Sequence, residues 1–191
     1  SILNFNKKNK LNFISDPSNK DLNYTRVKLR NFLQNNKYIA VVIGGQHATK
    51  ILPAQKVIEV LSKISSSFVL VGGPEDKQRA QQIISALGKG INACGYLSLN
   101  QSALLVKNAR LVISNDTGMM HIAAAFEVPT VAIFGPTKAT ETSQWMNDKN
   151  INIKKNLSCQ PCMKRKCPLK HNNCMKLIKA DEVLSALKSL N

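Results

Sequence analysis

Residues 111–134 read LVISNDTGMMHIAAAFEVPTVAIF, and this stretch decides the fold class. The apolar run Leu111–Ser114 predicts a buried strand, and Thr117–Phe126 follows it at once with the pattern of a helix. Thr130–Phe134 is a second β-branched run and predicts the next strand. A strand, a helix and a strand in such close succession indicate a βαβ unit, whose two strands are parallel and joined by a right-handed crossover.

The same alternation extends towards the amino terminus from this unit. Short apolar runs predict earlier strands, and stretches with helical spacing of apolar residues separate them. The predicted strands are Tyr38–Ile43, Phe68–Val71 and a short one near Ile91–Ala93, and the predicted helices are Pro53–Ile64, Glu75–Leu87 and Asn100–Asn108. The sequence therefore predicts an α/β fold, a Rossmann-like parallel sheet with helices on both faces.

The two ends of the chain differ from this regular middle. Residues 1–37 are rich in Asn and Lys, and we interpret them as an inter-domain connection followed by one short helix around Leu22–Leu33. Residues 38–191 form the predicted domain. Within it, Thr137 to Asn173 is expected to be mostly loop, with a cysteine-rich loop at 157–175. Ala180–Leu190 predicts a terminal helix.

The charge is unusual for a chain of 191 residues: 27 Lys and Arg stand against 11 Asp and Glu, a net charge of +16. Such a field attracts polyanions, which include an anionic membrane surface and nucleic acid, or it reflects solubility and compositional bias alone. Aromatic residues make up only 5% and do not interleave with the basic ones, which disfavours nucleic acid. No apolar run is long enough for a membrane span, and residues 1–14 lack the apolar core of a signal peptide. Without a secretory signal, we expect reduced thiols and a cytoplasmic protein, for which an anionic membrane surface is one candidate partner.

Polar residues cluster where the predicted strands end, the edge at which open parallel sheets bind ligands. Gly44–Lys50 combines glycines, a hydroxyl and a lysine, which suits a phosphate, although a tight turn with a solvated lysine explains it as well. Gly72–Asp76 offers carboxylates for ribose hydroxyls, or else simply begins a helix. Phe134-Gly135-Pro136-Thr137 is interpreted as a strand-terminating turn.

The segment Ser114–His121 carries the strongest signal. The free N–H groups of the helix start form an anion site, and Gly118 removes a side chain that would obstruct a phosphate. Thr117 and His121 are four residues apart and share a helical face. Asp116 has two interpretations, a carboxylate for sugar hydroxyls or an ordinary N-cap.

Taken together, these residues resemble glycosyltransferase family nine, the ADP-heptose:lipopolysaccharide heptosyltransferases. The matching stretches, in order, are His47–Lys50 with Leu52-Pro53, Gly72–Glu75, Cys94–Leu99, Asn115–Ala125, Pro129 and Phe134–Thr137. The resemblance covers residues 38–190 and implies the C-terminal, donor-binding half of a GT-B glycosyltransferase. It implies inverting, metal-independent transfer from a nucleotide-diphospho-sugar, usually ADP-heptose, to a lipopolysaccharide core acceptor, without a cofactor.

The resemblance also implies roles for single residues. Thr49 and Lys50 would hold the diphosphate, and Lys50 would stabilise it as it leaves. Glu75, or Asp76 in its place, would bind ribose. Leu97 would pack on the base, and the diphosphate and sugar would lie on Asp116, Thr117, Gly118 and His121.

The general base of this family is an aspartate of the N-terminal domain, which this sequence does not contain. The chain opens with Ser1, which fits a fragment or a processed product. We therefore expect no catalytic base here, and a chain that binds donor without transferring sugar. The alternatives are a non-catalytic nucleotide-binding module and a basic nucleic-acid-binding protein. A dehydrogenase is disfavoured because no Gly-x-Gly-x-x-Gly follows the first strand.

Four cysteines, Cys159, Cys162, Cys167 and Cys174, lie within the cysteine-rich loop, apart from Cys94. The first pair has the spacing of zinc ligands, but a zinc ribbon requires two such pairs, so reduced thiols in an ordered loop are the competing interpretation. The same loop carries several basic residues that would either meet phosphates on a lipid acceptor or be solvated: Lys164, Arg165, Lys166 and Lys170.

Overall fold

The computed structural model describes residues 29, 31–32, 37–144 and 147–190. In this part of the chain, six strands form one sheet with the order β3-β2-β1-β4-β5-β6. Every neighbouring pair is parallel. The strands are β1 (Tyr38–Val42), β2 (Ser67–Val71), β3 (Ile91–Asn92), β4 (Leu111–Asn115), β5 (Thr130–Phe134) and β6 (Asn150–Lys154). This is the order of doubly wound Rossmann folds, in which the chain reverses direction across the sheet between β1 and β4.

Alternate residues of the strands pack on opposite faces of the sheet, as the pleat requires. In β1, Ile39 and Val41 join one apolar cluster, and Tyr38, Ala40 and Val42 join the other. Both faces are thus buried, which is why the strand reads as a continuous apolar run rather than an alternating one. The predicted Rossmann-like sheet is confirmed.

Helices cover the two faces. They are α1 (Ala54–Ser62), α2 (Lys77–Leu87), α3 (Leu99–Lys107), α4 (Gly118–Ala125), α5 (Ala139–Thr142), α6 (Asn173–Lys176) and α7 (Ala180–Ser189). Apolar residues of α1, α2 and α7 belong to one cluster, and those of α3 and α4 belong to the other. The helix predicted around Leu22–Leu33 falls almost entirely outside the described residues. Leu29, which is described, is helical and fully buried in the second cluster.

Local hydrogen bonds move several helix starts away from their predicted positions. Pro74–Asp76 forms a short 3-10 turn, so α2 begins at Lys77 rather than at Glu75. Ser98 and Gln101 cap each other reciprocally, so α3 begins at Leu99. Thr117 is the N-cap of α4, which begins one residue later than predicted. α2 ends at Gly88, whose φ of 63° is the left-handed conformation that glycine favours at helix ends.

The prediction that Thr137 to Asn173 is mostly loop is confirmed for the described residues, but it missed the strand β6 and the short helix α5. β6 pairs with β5 along its whole length, from Thr130 beside Asn150 to Phe134 beside Lys154. It lies at the edge of the sheet, and Ile153 is its one buried residue. Because this edge strand has little apolar surface to bury, its sequence carries no run of apolar residues that would identify it.

Candidate functional site

The carboxyl ends of β1 and β4 are held together by one side chain, Asn115. Its amide Nδ2 donates to the carbonyl oxygens of Ile43 (3.3 Å) and Gly44 (3.2 Å), and its Oδ1 accepts from the N–H of Leu52 (3.3 Å). The residue is 2% exposed. Asn115 therefore fixes the glycine loop after β1 against the end of β4, a role that the sequence pattern did not assign to it.

An ion pair joins the loop after β1 to the loop after β4, next to the hydrogen bonds of Asn115. The Nζ of Lys50 lies 2.8 Å from Oδ2 of Asp116, with exposed side-chain fractions of 22% and 4%. Lys50 ends the 3-10 turn Ala48–Lys50, and the backbone N–H of Lys50 donates to the carbonyl oxygen of His47 at 2.9 Å. The interpretation of Lys50 as a solvated lysine is therefore wrong. The N-cap interpretation of Asp116 is also wrong, because Thr117 occupies that position.

The start of α4 is open to a ligand. Thr117 has extended backbone (φ −144°) and makes no side-chain capping bond to the helix. A Cβ added to Gly118 would meet nothing within 4 Å, and a Cβ on Gly45 would lie 3.7 Å from Thr117 Cγ2. His121 is exposed on the same helix. The start of the helix thus lies beside the glycine loop and next to the Lys50–Asp116 pair, an arrangement that suits an anion.

Thr49 is buried, and its hydroxyl is already engaged. Its Oγ1 donates to the carbonyl oxygen of Lys164 at 3.0 Å, with Arg165 O at 3.5 Å. This bond anchors the cysteine-rich loop to the turn that carries Lys50. The structure therefore gives Thr49 a contact across the site that sequence spacing did not predict.

The loop after β2 separates its two carboxylates. Asp76 is buried, forms a 2.6 Å ion pair with Arg79 and accepts the N–H of Gly73 at 3.0 Å. Burial raises the pKa of the Asp76 carboxyl above its usual value, although Arg79 and the Gly73 N–H act in the opposite direction. Glu75 is exposed, with its carboxylate beside Gly73. Glu75 is thus available for a ligand, whereas Asp76 is occupied within the protein.

Leu97 lies near this loop. The N–H of Gly95 donates to the carbonyl oxygen of Gly72 at 3.2 Å, which ties the loop after β3 to the loop after β2. Gly95 has a φ of 71°, and a Cβ there would come within 2.8 Å of the Cα of Pro74, so only glycine suits this crossing. Leu97 is half-buried against the apolar cluster on one face of the sheet. Glu75 and Leu97, the residues predicted to contact the ribose and the base, therefore lie on neighbouring loops.

The four clustered cysteines, Cys159, Cys162, Cys167 and Cys174, are not joined by disulfides. Within the described ranges, no group of three or more His, Cys, Asp or Glu side chains is arranged to hold a metal. The backbone N–H of Asn172 donates to Cys167 Sγ (3.4 Å), and such N–H groups lower the pKa of this thiol. Burial, followed by the other three thiols of the cluster, raises the pKa of Cys174. The thiols of Cys159, Cys162 and Cys167 thus lie close enough to Cys174 to influence its ionisation.

The fold is a Rossmann-like domain, and its candidate anion site lies at the carboxyl edge of the parallel sheet, where such folds bind ligands. The family model described as Glycosyltransferase family 9 (heptosyltransferase) matches residues 6–173. The chain belongs to this family.

Similar proteins agree with this assignment. Lipooligosaccharide heptosyltransferase 2 of Campylobacter jejuni is 42% identical over 99 residues, which cover 52% of this chain and 31% of that protein. The structure of E. coli ADP-heptose lps heptosyltransferase II superposes with a TM-score of 0.71 and 21% identity, covering 89% of this chain and 50% of that one. E. coli heptosyltransferase WaaC with ADP-2-deoxy-2-fluoro heptose gives a TM-score of 0.63 and 19% identity, covering 87% and 48%. The chain thus spans about a third of the curated relative and half of the solved structures.

Proposed function

We propose that this chain is the nucleotide-sugar-binding part of a heptosyltransferase and that it binds ADP-heptose at the carboxyl edge of its sheet. The observation that carries the proposal is the Lys50–Asp116 pair beside the uncapped start of α4. A site that offers a cation, a carboxylate and free helix N–H groups suits a diphosphate joined to a polyhydroxylated sugar. The ADP-heptose named for the relatives supplies both parts.

In this arrangement the diphosphate lies on the N–H groups of α4 and draws Lys50 towards it. Gly118 leaves room for a phosphate oxygen, and Thr117 and His121 flank it. Asp116 then turns its carboxylate to the sugar hydroxyls. Lys50 and the helix start stabilise the negative charge of the departing diphosphate, which is electrostatic catalysis that requires no metal.

The remaining contacts concern the nucleoside. The exposed carboxylate of Glu75 accepts hydrogen bonds from the ribose hydroxyls, and Leu97 packs on the base. Asp76 is not a substitute for Glu75, because its oxygens already hold Arg79 and Gly73. This division gives each carboxylate of the Gly72–Asp76 loop one role.

Transfer to a lipopolysaccharide core acceptor needs a base that deprotonates the attacking hydroxyl, and inversion places that base opposite the diphosphate. At this edge Asp76 and Asp116 are ion-paired within the domain, and the binding mode proposed above uses Glu75 for ribose and His121 for the diphosphate. We propose that the base comes from a separate acceptor-binding domain, and that the complete enzyme works on the cytoplasmic side of the inner membrane. In the described part of the chain, no helix is long and apolar enough to cross a bilayer.

Calorimetry of this chain against ADP-heptose, ADP, UDP-glucose and GDP-mannose tests the proposal. We expect the ADP-linked sugar to bind most tightly and the chain alone to transfer no sugar. Equal affinity for all four ligands, or none for ADP-heptose, would overturn the donor assignment. The paired state of both aspartates also suits a nucleotide-binding module without turnover. Sugar transfer restored by adding the acceptor domain of a relative would exclude that second candidate.

A further inference from the structure

The cysteine-rich loop presents a group of exposed side chains that the donor site does not use. We call it the loop surface, and it consists of Met163, Lys164, Arg165, Lys166, Leu169 and Lys170. Two of these residues are apolar yet largely exposed: Met163 at 55% and Leu169 at 58%. The loop surface therefore combines exposed cations with exposed apolar side chains, the two components of an interfacial contact with a membrane.

The backbone under the loop surface is fixed to the edge of the sheet that carries the donor site. The N–H of Met163 donates to Pro136 O at 2.9 Å, and the side chain of Gln160 donates to Gly135 O at 2.7 Å. Thr49 Oγ1 reaches Lys164 O at 3.0 Å, one residue from Lys50. The loop surface and the donor site therefore share one end of the molecule.

The charge of this surface is uncompensated. Among the described residues, none of its four cations takes part in an ion pair. The sequence between Asp148 and Asp181 contains no acidic residue. All four cations of the loop surface lie in this interval, so they have no acidic neighbour along this part of the chain. A local field of one sign this strong attracts an extended anionic partner.

We propose that the loop surface binds an anionic lipid bilayer, with Met163 and Leu169 entering the interface and the four cations meeting lipid phosphates. A dissolved phosphate or a nucleic acid would explain the cations but not the two exposed apolar side chains. A bilayer explains both, because interfacial binding combines buried apolar area with attraction to anionic headgroups. This binding turns the donor site towards the membrane, and it does not depend on which sugar the site holds.

Vesicle sedimentation tests the proposal with a matched control. The loop variant replaces all four cations of the loop surface by glutamine. The control removes the same number of charges, three Lys and one Arg, from exposed positions just before strands, at the opposite edge of the sheet. Its substitutions are Lys37→Gln, Lys89→Gln, Arg110→Gln and Lys149→Gln. A third variant, Met163→Ser with Leu169→Ser, keeps every charge.

We expect the parent chain to bind phosphatidylethanolamine vesicles that contain phosphatidylglycerol and to ignore phosphatidylcholine alone. The loop variant should lose at least about tenfold in partition, since each basic residue near the surface contributes severalfold. The control should keep most of its binding, and the serine variant should weaken vesicle binding without changing heparin binding. If the loop variant and the control lose vesicle binding equally, net charge rather than the loop surface is responsible, and the proposal is overturned. A serine variant that binds vesicles like the parent would overturn it too, as would tighter binding of random DNA than of vesicles.

Discussion

Lys50 and Asp116, which stand 66 residues apart in the chain, form a 2.8 Å ion pair at the carboxyl edge of the sheet. One was predicted to hold the diphosphate and the other the sugar, so the two expected ligand contacts are each other's partners. Because the carboxylate is 4% exposed, it depends on Lys50 for its charge compensation. A substitution at either position therefore changes both ligand affinity and stability.

Replacing Asp116 by asparagine should affect binding of the diphosphate and binding of the sugar in different ways. The change removes a negative charge beside the diphosphate site and releases Lys50, so ADP should bind as well as before or more tightly. ADP-heptose should bind more weakly relative to ADP, because the sugar hydroxyls lose a charged acceptor. Calorimetry with both ligands measures the ratio. An unchanged ratio would contradict the proposed sugar contact.

Replacing Lys50 by alanine should weaken ADP binding by about 1.5–3 kcal/mol, the range for a lost hydrogen bond to a charged group. It should also lower the free energy of unfolding by about 1–3 kcal/mol, because Asp116 is left buried without its cation. The double variant Lys50→Ala, Asp116→Asn should recover part of the stability, but it should still bind ADP more weakly than the parent because it lacks the Lys50 cation. If stability and affinity recover together, Lys50 acts only through the fold.

The buried hydrogen bonds of Asn115 should contribute strongly to the free energy of unfolding. Asn115→Ala removes the partners of two carbonyl oxygens and one N–H, which should cost about 2–4 kcal/mol of unfolding free energy by the usual cost of buried unsatisfied groups. Asn108→Ala is the matched control, because that amide makes one exposed bond to Leu104 O. Urea unfolding compares the two variants. If Asn115→Ala loses no more unfolding free energy than Asn108→Ala, the hydrogen bonds of Asn115 do not stabilise the fold.

The thiols should react in a fixed order as the pH rises. Backbone N–H groups lower the pKa of Cys167, so its thiolate forms at lower pH than an ordinary thiolate. Burial raises the pKa of Cys174 and, more strongly, of Cys94, so these should react last. Iodoacetamide labelling followed by peptide mass spectrometry gives each rate against pH. Cys174 labelling as early as Cys167 would contradict the described environment.

The fold was predictable because its signals are local. Buried β-branched runs placed β1, β2, β4 and β5 within one residue of their observed bounds, and single helices between them implied parallel pairing. β6 escaped prediction because an edge strand with one buried residue leaves no such run. The helix starts moved by one or two residues because caps and 3-10 turns depend on side-chain geometry.

The site was only partly predictable, for a different reason. Sequence pattern brought the right loops to one edge, but it could not show which side chains meet there. The pair of Lys50 with Asp116 and the bond from Thr49 to Lys164 join residues 66 and 115 positions apart. Such contacts follow from the three-dimensional path of the chain, and spacing carries no information about them.

The central claim is that a diphosphate binds at the start of α4 beside Lys50. Titrating the ¹⁵N-labelled chain with ADP and following the backbone amide resonances by NMR tests it most directly. We expect saturable shifts that are largest for the amides of Gly118 and Met119 and that fall sharply in the Lys50→Ala protein. Shifts concentrated on another loop, with Gly118 and Met119 unmoved at saturation, would contradict it.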